Sequence, residues 1–507
     1  MNIFNNNDRR ILEQKGISVE QAEKQIELFK KGVKPVKLIE PAVAGKGIEI
    51  IDDKKKYIGI YETTPKQVTK FVPASGAASR MFKSLFEFNE ISPNKQKQQI
   101  NSNKDVQEFF ASISNFAFFD DLNKLLGSSG KIYELIKNGD YTSIIDGLLE
   151  TKGLSYGVLP KGLLKFHSYS PEENRTPFEE HLVEGALYAQ SDKRLVNLHF
   201  TVSPEHLASF RELADRVVGD YENKYSVKYR LSYSVQKPST DTLAVNADNT
   251  PFYDNDGSLL FRPGGHGALI ENLNEIDSDI IFIKNIDNVT KQHLLLPTIE
   301  YKKVLAGKLL EIRQTIYMLL GQLTENPATE TINMAIDFLK NRLMLVGNCV
   351  PESLSGSALV EALIDRLNRP LRVCGVVRNL GEPGGGPYFT ESENGCVSVQ
   401  IVESSQVDGE NPEQMEILKS ATHFNPVDIV CSVKDFKGKK FDLRRFIDND
   451  TCFISRKSKS GRELKALELP GLWNGAMAFW NSVYVEVPVE TFNPVKTVND
   501  LLRKAHQ

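Results

Sequence analysis

Several short segments of the sequence combine small residues with a cation, a combination that suits phosphate binding. The first runs Ala74-Ser75-Gly76-Ala77-Ala78-Ser79 and is followed by Arg80. It comes after an apolar, strand-like stretch and leads into an apolar helical pattern. Small residues allow a backbone to approach a phosphate, a helix N-terminus presents free N–H groups, and Arg80 would add a fixed cation. Taken alone, the segment is more typical of tight structural packing.

Lys161 and Asp287 are two further residues whose surroundings suit phosphate binding. Lys161 lies between a rigid proline and a flexible glycine, from where its ammonium can reach a phosphoryl oxygen, although a solvated turn lysine is the common case. Asp287 follows the apolar run Ile280–Ile283. Ligands of open α/β sheets bind beyond the carboxyl ends of the strands, so Asp287 is a candidate ligand for Mg²⁺, with helix capping as the alternative.

His266 stands among three glycines in the run Arg262-Pro263-Gly264-Gly265-His266-Gly267. Glycines at this density indicate a chain held close to something flat or anionic, and the imidazole of His266 can donate to a phosphate. Gln236 follows another strand-like run and precedes Lys237-Pro238. A lone histidine is usually structural, so this segment indicates a phosphate site only when it is taken together with the other segments.

Strand-like and helical patterns alternate around these residues. Apolar runs rich in β-branched and aromatic residues predict strands at 68–72, 196–202, 231–235 and 280–283. Amphipathic patterns predict helices at 177–190, 205–220 and 268–276. The alternation predicts an α/β fold with a mixed, mainly parallel twisted sheet and helices on both faces.

The sequence predicts four parts. Residues 1–64 form an N-terminal helical appendage, 65–300 one half of an α/β domain with a helical insertion at 84–158, 301–345 a helical connector, and 346–507 the other half with a terminal α+β piece. The insertion carries phenylalanines that are typical of a core, with a docking surface for a partner as the alternative: Phe109, Phe110, Phe116, Phe118 and Phe119.

The composition excludes several classes of protein. The 507 residues carry a formal charge of −4 and a pI near 6.2, which gives no basic field for a nucleic-acid backbone. No apolar run approaches the ~20 residues needed to span a bilayer, and the first residues lack a secretory pattern. Five cysteines lack metal-ligand spacing, so we expect reduced thiols in a cytoplasmic protein without nucleic-acid or membrane partners: Cys349, Cys374, Cys396, Cys431 and Cys452.

Taken in order, these segments resemble the UDP-sugar pyrophosphorylases, nucleotidyltransferases with the glycosyltransferase-A type of fold, which carry a Gly-Thr-Arg loop, Pro-Lys-Gly, a glutamine, Pro-Gly-His-Gly and Asn-x-Asp-Asn. The segment from Phe492 to Leu502 is similar to that family's Phe-x-Pro-Val-Lys-x-x-x-Asp-Leu-Leu motif. Val399–Glu403 and Phe424–Pro426 are similar to its sugar-binding segments. The resemblance covers residues 68–300 and 370–502 and indicates an uncharacterised bacterial subfamily.

The resemblance implies a reaction in which a sugar 1-phosphate attacks the α-phosphorus of a nucleoside triphosphate, expected to be UTP, and releases pyrophosphate. It implies Mg²⁺ on Asp287 and a phosphate role for Arg80, Lys161 and Lys496. The nucleotide would contact Ala74, Ser75, Gly76, Ser79, Gln236, Gly264, Gly265 and His266, and the sugar would contact Asn285, Glu403 and Asn425. The base, the sugar and the oligomeric state stay open.

Two departures from the family pattern leave an alternative open. Ala78 stands where the family has the second glycine of its loop, and about eighty residues separate Arg80 from Pro160 where the family has a short link. Both changes are compatible with a catalytically inactive protein that binds a nucleotide or a nucleotide sugar. The glycine-rich turn Gly381–Gly386 predicts a loop without an assigned role.

Overall fold

The computed structural model describes residues 3–127, 130–170, 173–381 and 384–507. Glu382 and Pro383 of the glycine-rich turn lie outside the described residues. The chain divides into two compact units: unit 1 comprises residues 1–67, 235–283 and 301–489, and unit 2 comprises residues 68–234, 284–300 and 490–507. Each unit is therefore assembled from three stretches that are distant in the sequence.

Unit 1 contains a sheet whose central strands are buried along almost their whole length. Leu371–Arg378 pairs in parallel with Asn481–Glu486 and antiparallel with His423–Ser432, which also pairs antiparallel with Ile280–Ile283. The short strands Gly47–Glu49 and Val43–Ala44 extend the sheet beyond Asn481–Glu486 in parallel. Every residue of His423–Ser432 and of Ile280–Ile283 is buried, as expected for continuous apolar strands covered on both faces.

Unit 1 also contains two smaller antiparallel sheets. One has the strand order Lys37–Pro41, Gly386–Glu391, Cys396–Val402 and Val346–Gly347, and the other has the order Phe261–Arg262, Thr242–Val245, Arg462–Glu468 and Phe453–Lys459. The helices of this unit are Asn6–Lys15, Val19–Lys31, Lys54–Thr63, Ile270–Leu273, most of Leu296–Glu325, Thr329–Asn341, Gly356–Leu367 and Pro412–Lys419.

Unit 2 is built on the parallel pair Val68–Pro73 and Leu195–Val202, with Lys228–Val235 next to the latter in strand order. A short ribbon joins His167–Ser168 to Asn174–Arg175. Its helices are Lys83–Asn89, Pro93–Gln99, Lys104–Ala111, Phe119–Leu125, Lys131–Asn138, Tyr141–Leu149, Pro177–Tyr188 and Leu207–Tyr225. The predicted α/β class, with a mixed sheet and helices, is confirmed.

Local signals explain where the helices of unit 2 begin and end. Pro177–Tyr188 begins at a capping box between Thr176 and Glu179, with proline in its first turn. Within the insertion, Lys131–Asn138 and Tyr141–Leu149 are separate helices, because Gly139 ends the first one with φ +69°. That backbone conformation favours glycine and interrupts the helix.

The helical insertion has an apolar core of its own within unit 2. All four phenylalanines from Phe109 to Phe118 are buried in it, and Phe119 packs against it. The same core includes Val495, Val498 and Leu501. These phenylalanines are therefore core residues, as expected, and they offer no exposed docking face.

Two cysteines form a disulfide, which corrects the expectation that all five are reduced thiols. Cys349 and Cys396 are bonded, with their Cα atoms 4.3 Å apart. The antiparallel pairing of Val346–Gly347 with Cys396–Val402 places Gly347 opposite Cys396 and brings the two sulfurs together. Such a register is a tertiary property that local spacing does not encode. Within the described stretches, no helix is long and apolar enough to cross a membrane.

Candidate active site

Lys161 and Asp287 form an ion pair in unit 2. Nζ of Lys161 donates to Oδ2 of Asp287 at 2.7 Å and to the carbonyl of Val495 at 2.5 Å. The backbone N–H of Lys161 donates to the carbonyl of Gly76 at 3.3 Å. The two side chains are only 14% and 21% exposed, so one lysine ties together three segments that the sequence analysis had selected separately.

Glycine at position 162 lets the lysine loop sit closely against its neighbours. A Cβ at Gly162 would lie 2.9 Å from the ring of Phe210 and 3.1 Å from the side chain of Ile286. Gly162 is buried in the short 3-10 turn Lys161–Leu163. Glycine at this position therefore allows the lysine loop to pack closely against Phe210 and Ile286.

The segment around Lys496 is anchored on both sides. The N–H of Val495 donates to the carbonyl of Asp287 at 3.2 Å. On the other side, the N–H groups of Lys496 and Thr497 both donate to Oδ2 of Asp500 at 2.7 Å. The side chain of Lys496 is exposed, whereas its neighbour Val495 is buried in the insertion core. Lys161, Asp287 and the Lys496 segment are thus brought together, and their roles stay predictions.

The loop 74–80 lies beside the lysine loop. Ala74 is buried and donates its N–H to the carbonyl of Thr201 at 2.8 Å. Ser75, Gly76, Ser79 and Arg80 are exposed. An α-helix does not follow at once; a 3-10 turn at Ala78–Phe82 precedes it. The exposed backbone and the guanidinium of this loop are accessible to an anionic ligand.

The carboxylate of Asp287 suits a magnesium ion that substrate phosphates would also bind. Mg²⁺ usually takes one or two protein carboxylates and completes its shell with substrate phosphates and water. Asp287 and the half-buried amide of Asn285 lie together after the strand Ile280–Ile283. In the part of the chain that the structure describes, no group of three or more His, Cys, Asp or Glu side chains could hold a metal ion.

A buried charge cluster lies next to the segment that carries Asp287. The sequence analysis did not identify it. Glu184 accepts from Lys70 at 2.7 Å and from Lys284 at 2.6 Å, with all three side chains at most 2% exposed. His181 bonds through Nε2 to the carbonyl of Ile286 at 3.2 Å. Burial raises the pKa of Glu184, but the two ammonium groups outweigh it and hold that pKa well below its usual range. The only sequence signal was a lysine within or after each apolar strand.

The predicted histidine lies in unit 1, stacked on a tryptophan that the sequence analysis did not select. The rings of His266 and Trp473 are 4.2 Å apart and 12° from parallel. The N–H of Leu472 donates to Nδ1 of His266 at 3.0 Å, and Nε2 lies 3.9 Å from Oε1 of Glu403. Burial lowers the pKa of His266, so the neutral ring carries its proton on Nε2.

The glycines around His266 allow other segments of the chain to approach this backbone closely. A Cβ at Gly264 would lie 2.5 Å from the carbonyl oxygen of Thr240, and one at Gly267 would lie 2.1 Å from that of Pro470. Gly265 has φ +77° and is partly exposed. Half-buried Gln236 precedes the turn that contains Thr240. Contact of Gln236, Gly264 and Gly265 with a nucleotide stays a prediction.

Glu403 and Asn425 lie on either side of Gly385. The N–H of Asn425 donates to the carbonyl of Gly385 at 2.8 Å, and a Cβ at Gly385 would lie 3.2 Å from Cγ of Glu403. Oδ1 of Asn425 accepts from the N–H of Val427, while its buried Nδ2 has no partner among the described residues. Both predicted sugar contacts therefore lie next to Gly385 of the glycine-rich turn, for which the sequence analysis assigned no role.

A family model described as Domain of unknown function (DUF4301) matches residues 5–507. No curated protein gives a significant match to the chain. Solved structures similar to it are UDP-sugar pyrophosphorylases, as its motifs predicted. UDP-glucose pyrophosphorylase from Leishmania major has 12% identity and a TM-score of 0.44, with 98% of this chain and 77% of that chain covered. Uridine diphosphate N-acetylglucosamine pyrophosphorylase from Trypanosoma brucei has 11% identity and a TM-score of 0.46, with coverages of 95% and 75%.

Proposed function

The chain belongs to the family described as Domain of unknown function (DUF4301), and we propose that it is a nucleotidyltransferase that makes a nucleotide sugar. The substrates would be a sugar 1-phosphate and UTP, and the second product would be pyrophosphate. The observation that supports this function most is the position of Lys161, whose ammonium is held by Asp287 and Val495 where three distant segments meet.

This reaction needs positive charge more than it needs a general base. The second pKa of a phosphate monoester is about 6, so the attacking oxygen of a sugar 1-phosphate is already ionised near pH 7. Charge then has to be stabilised on the phosphoryl oxygens, and one cation at about 4 Å contributes up to roughly 4 kcal/mol at an effective dielectric of 20. Arg80 and Lys496 are exposed in the unit that holds Lys161 and suit this work.

The ammonium of Lys161 has a donor hydrogen left for a phosphoryl oxygen. An ammonium group has three donor hydrogens, and Asp287 and Val495 accept two of them. The third would donate to the ligand, and the two existing bonds would reduce the entropic cost of orienting the ammonium group. A Mg²⁺ ion held by Asp287 and the substrate phosphates would add further neutralising charge when bound.

Unit 1 supplies groups suited to recognition of the base and the sugar. The Nε2–H of neutral His266 and the unpartnered Nδ2 of Asn425 are donors, and the carboxylate of Glu403 is an acceptor, 30% exposed. Carboxylate and amide groups of this kind bond well to sugar hydroxyls. Trp473, stacked on His266, adds a planar apolar surface beside them.

A second candidate function is binding of the nucleotide sugar without turnover. It is favoured by Ala78, whose N–H already donates to the carbonyl of Leu159 at 3.2 Å. That N–H is therefore not free for a phosphate. Under this alternative the Lys161–Asp287 pair would be a structural link rather than part of a reaction.

Release of pyrophosphate separates the two functions. A panel of sugar 1-phosphates is incubated with each of the four nucleoside triphosphates and Mg²⁺, and pyrophosphate is followed by a coupled assay. We expect turnover with at least one pair and a loss of at least about 100-fold in Lys161→Ala, on the scale of one removed electrostatic group. Lys165→Ala is the matched control, because the ammonium of Lys165 pairs with Asp121 in the same unit, where the two side chains are 32% and 41% exposed.

Each outcome has a distinct meaning. Calorimetric binding of UTP or a UDP-sugar without any pyrophosphate would establish the binding function and exclude turnover. Equal activity of Lys161→Ala and Lys165→Ala would remove the proposed role of Lys161. Absence of both binding and turnover across the panel would refute both functions.

A further inference from the structure

A buried row of hydrogen bonds in unit 2 starts on the helix Pro177–Tyr188 and ends at His506. Oε1 of Glu180 lies 2.9 Å from Nδ1 of His167, and Nε2 of His167 lies 2.9 Å from Nδ1 of His506. The two imidazole rings are 5.1 Å apart and 27° from parallel. The three residues are at most 2% exposed, so water does not compete for these bonds.

The neighbours of Glu180 fix the direction in which these bonds run. Its carboxylate also accepts from the hydroxyl of Tyr169 at 2.8 Å and lies 3.6 Å from the guanidinium of Arg175. Nδ1–H of His167 therefore donates to Glu180. Burial lowers the pKa of His506 to about 3, so its ring is neutral near pH 7. In the neutral pair, Nδ1–H of His506 donates to Nε2 of His167.

His506 lies at one end of a hydrogen-bonded segment whose other end carries Lys496. The N–H of His506 donates to the carbonyl of Arg503 at 2.8 Å, and the N–H of Arg503 donates to the carbonyl of Asp500 at 3.0 Å. Oδ2 of Asp500 accepts from the N–H of Lys496 at 2.7 Å. The ring of His506 is therefore linked to the backbone of Lys496 through three consecutive hydrogen bonds.

The end of this segment near His506 is anchored by its backbone as well as by the ring. The carbonyl of Ala505 accepts from the N–H of Lys291 at 3.0 Å and from Oγ1 of Thr290 at 2.9 Å. A substitution at His506 removes the bond to His167 but leaves these backbone contacts in place. Loss of the ring should therefore loosen the segment without detaching it.

We propose that His506 is a positioning residue for Lys496. Its bond to His167 fixes one end of the segment and so restricts where the ammonium of Lys496 can lie. This inference rests on the proposed transferase function, in which Lys496 stabilises charge on the phosphates. A group that is oriented before the reaction lowers the entropic part of the barrier, and small displacements of it are costly. Because His506 is buried, it acts through the segment rather than by contact with a ligand.

Two substitutions at position 506 separate the hydrogen bond from the presence of the ring. His506→Leu removes the donor, whereas His506→Asn keeps an N–H donor near the position of Nδ1. We expect His506→Leu to lower kcat for pyrophosphate release about tenfold and to change KM less than about twofold, because a group that acts on the transition state is displaced. His506→Asn should retain at least about a third of the wild-type kcat. Circular dichroism confirms that each variant is folded at the assay temperature.

Tyr229→Phe is the matched control for the loss of one hydrogen bond. The hydroxyl of Tyr229 donates to the carbonyl of Leu182 at 2.9 Å, on the same helix that carries Glu180. This variant should leave kcat unchanged. Equal kcat in His506→Leu and Tyr229→Phe would overturn the proposal.

Combination with Lys496→Ala distinguishes positioning from a general loss of stability. If His506 acts through Lys496, adding His506→Leu to Lys496→Ala should slow the reaction by less than about twofold, since the two effects are not additive. A tenfold loss in both backgrounds would overturn the proposal.

Hydrogen–deuterium exchange tests the anchor without any reaction. Peptides that cover residues 493–500 should exchange about tenfold faster in His506→Leu than in the wild type, because one buried hydrogen bond is lost. The strand Leu195–Val202 should exchange as in the wild type. If the wild type shows no turnover, the proposed function fails, whereas faster exchange in His506→Leu still supports the positioning of Lys496. Unaltered exchange of 493–500 in folded His506→Leu would overturn the proposal in either case.

Discussion

The buried cluster around Glu184 gives a prediction whose size follows from its geometry. In Glu184→Gln, the two ammonium groups of Lys70 and Lys284 lose their counter-charge in a site where all three side chains are at most 2% exposed. Breaking one buried ion pair by removing one partner costs about 3–5 kcal/mol. Because two pairs share this carboxylate, we expect the upper end of that range, a large part of the roughly 5–15 kcal/mol that stabilises a typical protein.

Urea unfolding followed by circular dichroism measures this loss. With a slope of about 3 kcal/mol per molar, a loss of about 5 kcal/mol lowers the midpoint by roughly 1.7 M. Glu87→Gln is the matched control, because Glu87 pairs with Lys83 at 3.5 Å on the surface, where the side chains are 62% and 75% exposed. Exposed pairs of this kind contribute at most about 1 kcal/mol.

The pH dependence of the same variant checks the sign of the argument. The folded pKa of Glu184 is held below the usual glutamate value, so its stabilising contribution is complete above the unfolded pKa of about 4.3 and is lost as the pH falls toward the folded pKa. The difference between wild type and Glu184→Gln should therefore be constant from pH 5 upward and shrink below about pH 4.3. A variant no less stable than the Glu87→Gln control would refute the reasoning.

Three further predictions concern the candidate site. Leu501→Ala should lower the free energy of unfolding by about 2–5 kcal/mol because Leu501 is buried in the insertion core, whereas partly buried Leu502→Ala should cost less; equal melting temperatures would contradict this. Since burial lowers the pKa of His266, calorimetric affinity for a UDP-sugar, which has no terminal phosphate that titrates in this range, should be constant between pH 7 and 8 and should change only well below about pH 6.5; a change centred near pH 7 would contradict a neutral ring. Asp287→Asn should raise the Mg²⁺ concentration needed for half-maximal pyrophosphate release by at least tenfold. An unaltered magnesium titration would count against a metal ligand at Asp287.

The sequence analysis succeeded where local pattern and fold agree. The apolar run Ile280–Ile283 was predicted with its observed bounds because a short, continuous apolar stretch suits a buried strand. Pro177–Tyr188 was predicted to within two residues because proline and a capping box mark its beginning. The motif residues Lys161 and Asp287 could be selected because glycine, proline and strand ends restrict what the neighbouring backbone does.

The features that were missed depend on distant residues. Lys70 and Glu184 are separated by 114 positions, and each resembles an ordinary solvated charge in its own segment. The stacking of His266 on Trp473 and the Cys349–Cys396 disulfide likewise require two segments to pack in one register. A single sequence contains no local signal for such pairings, so they become visible only in the folded chain.

The insertion core has a consequence for how the protein is made. The helices between Lys83 and Leu149 are translated early, but Val495, Val498 and Leu501, which complete their apolar core, leave the ribosome about 350 residues later. At about 5–20 residues per second, this is a wait of roughly 20–70 s. During that time the apolar core of the nascent helices lacks these three residues, and we expect molecular chaperones to bind the helices until translation reaches Leu501.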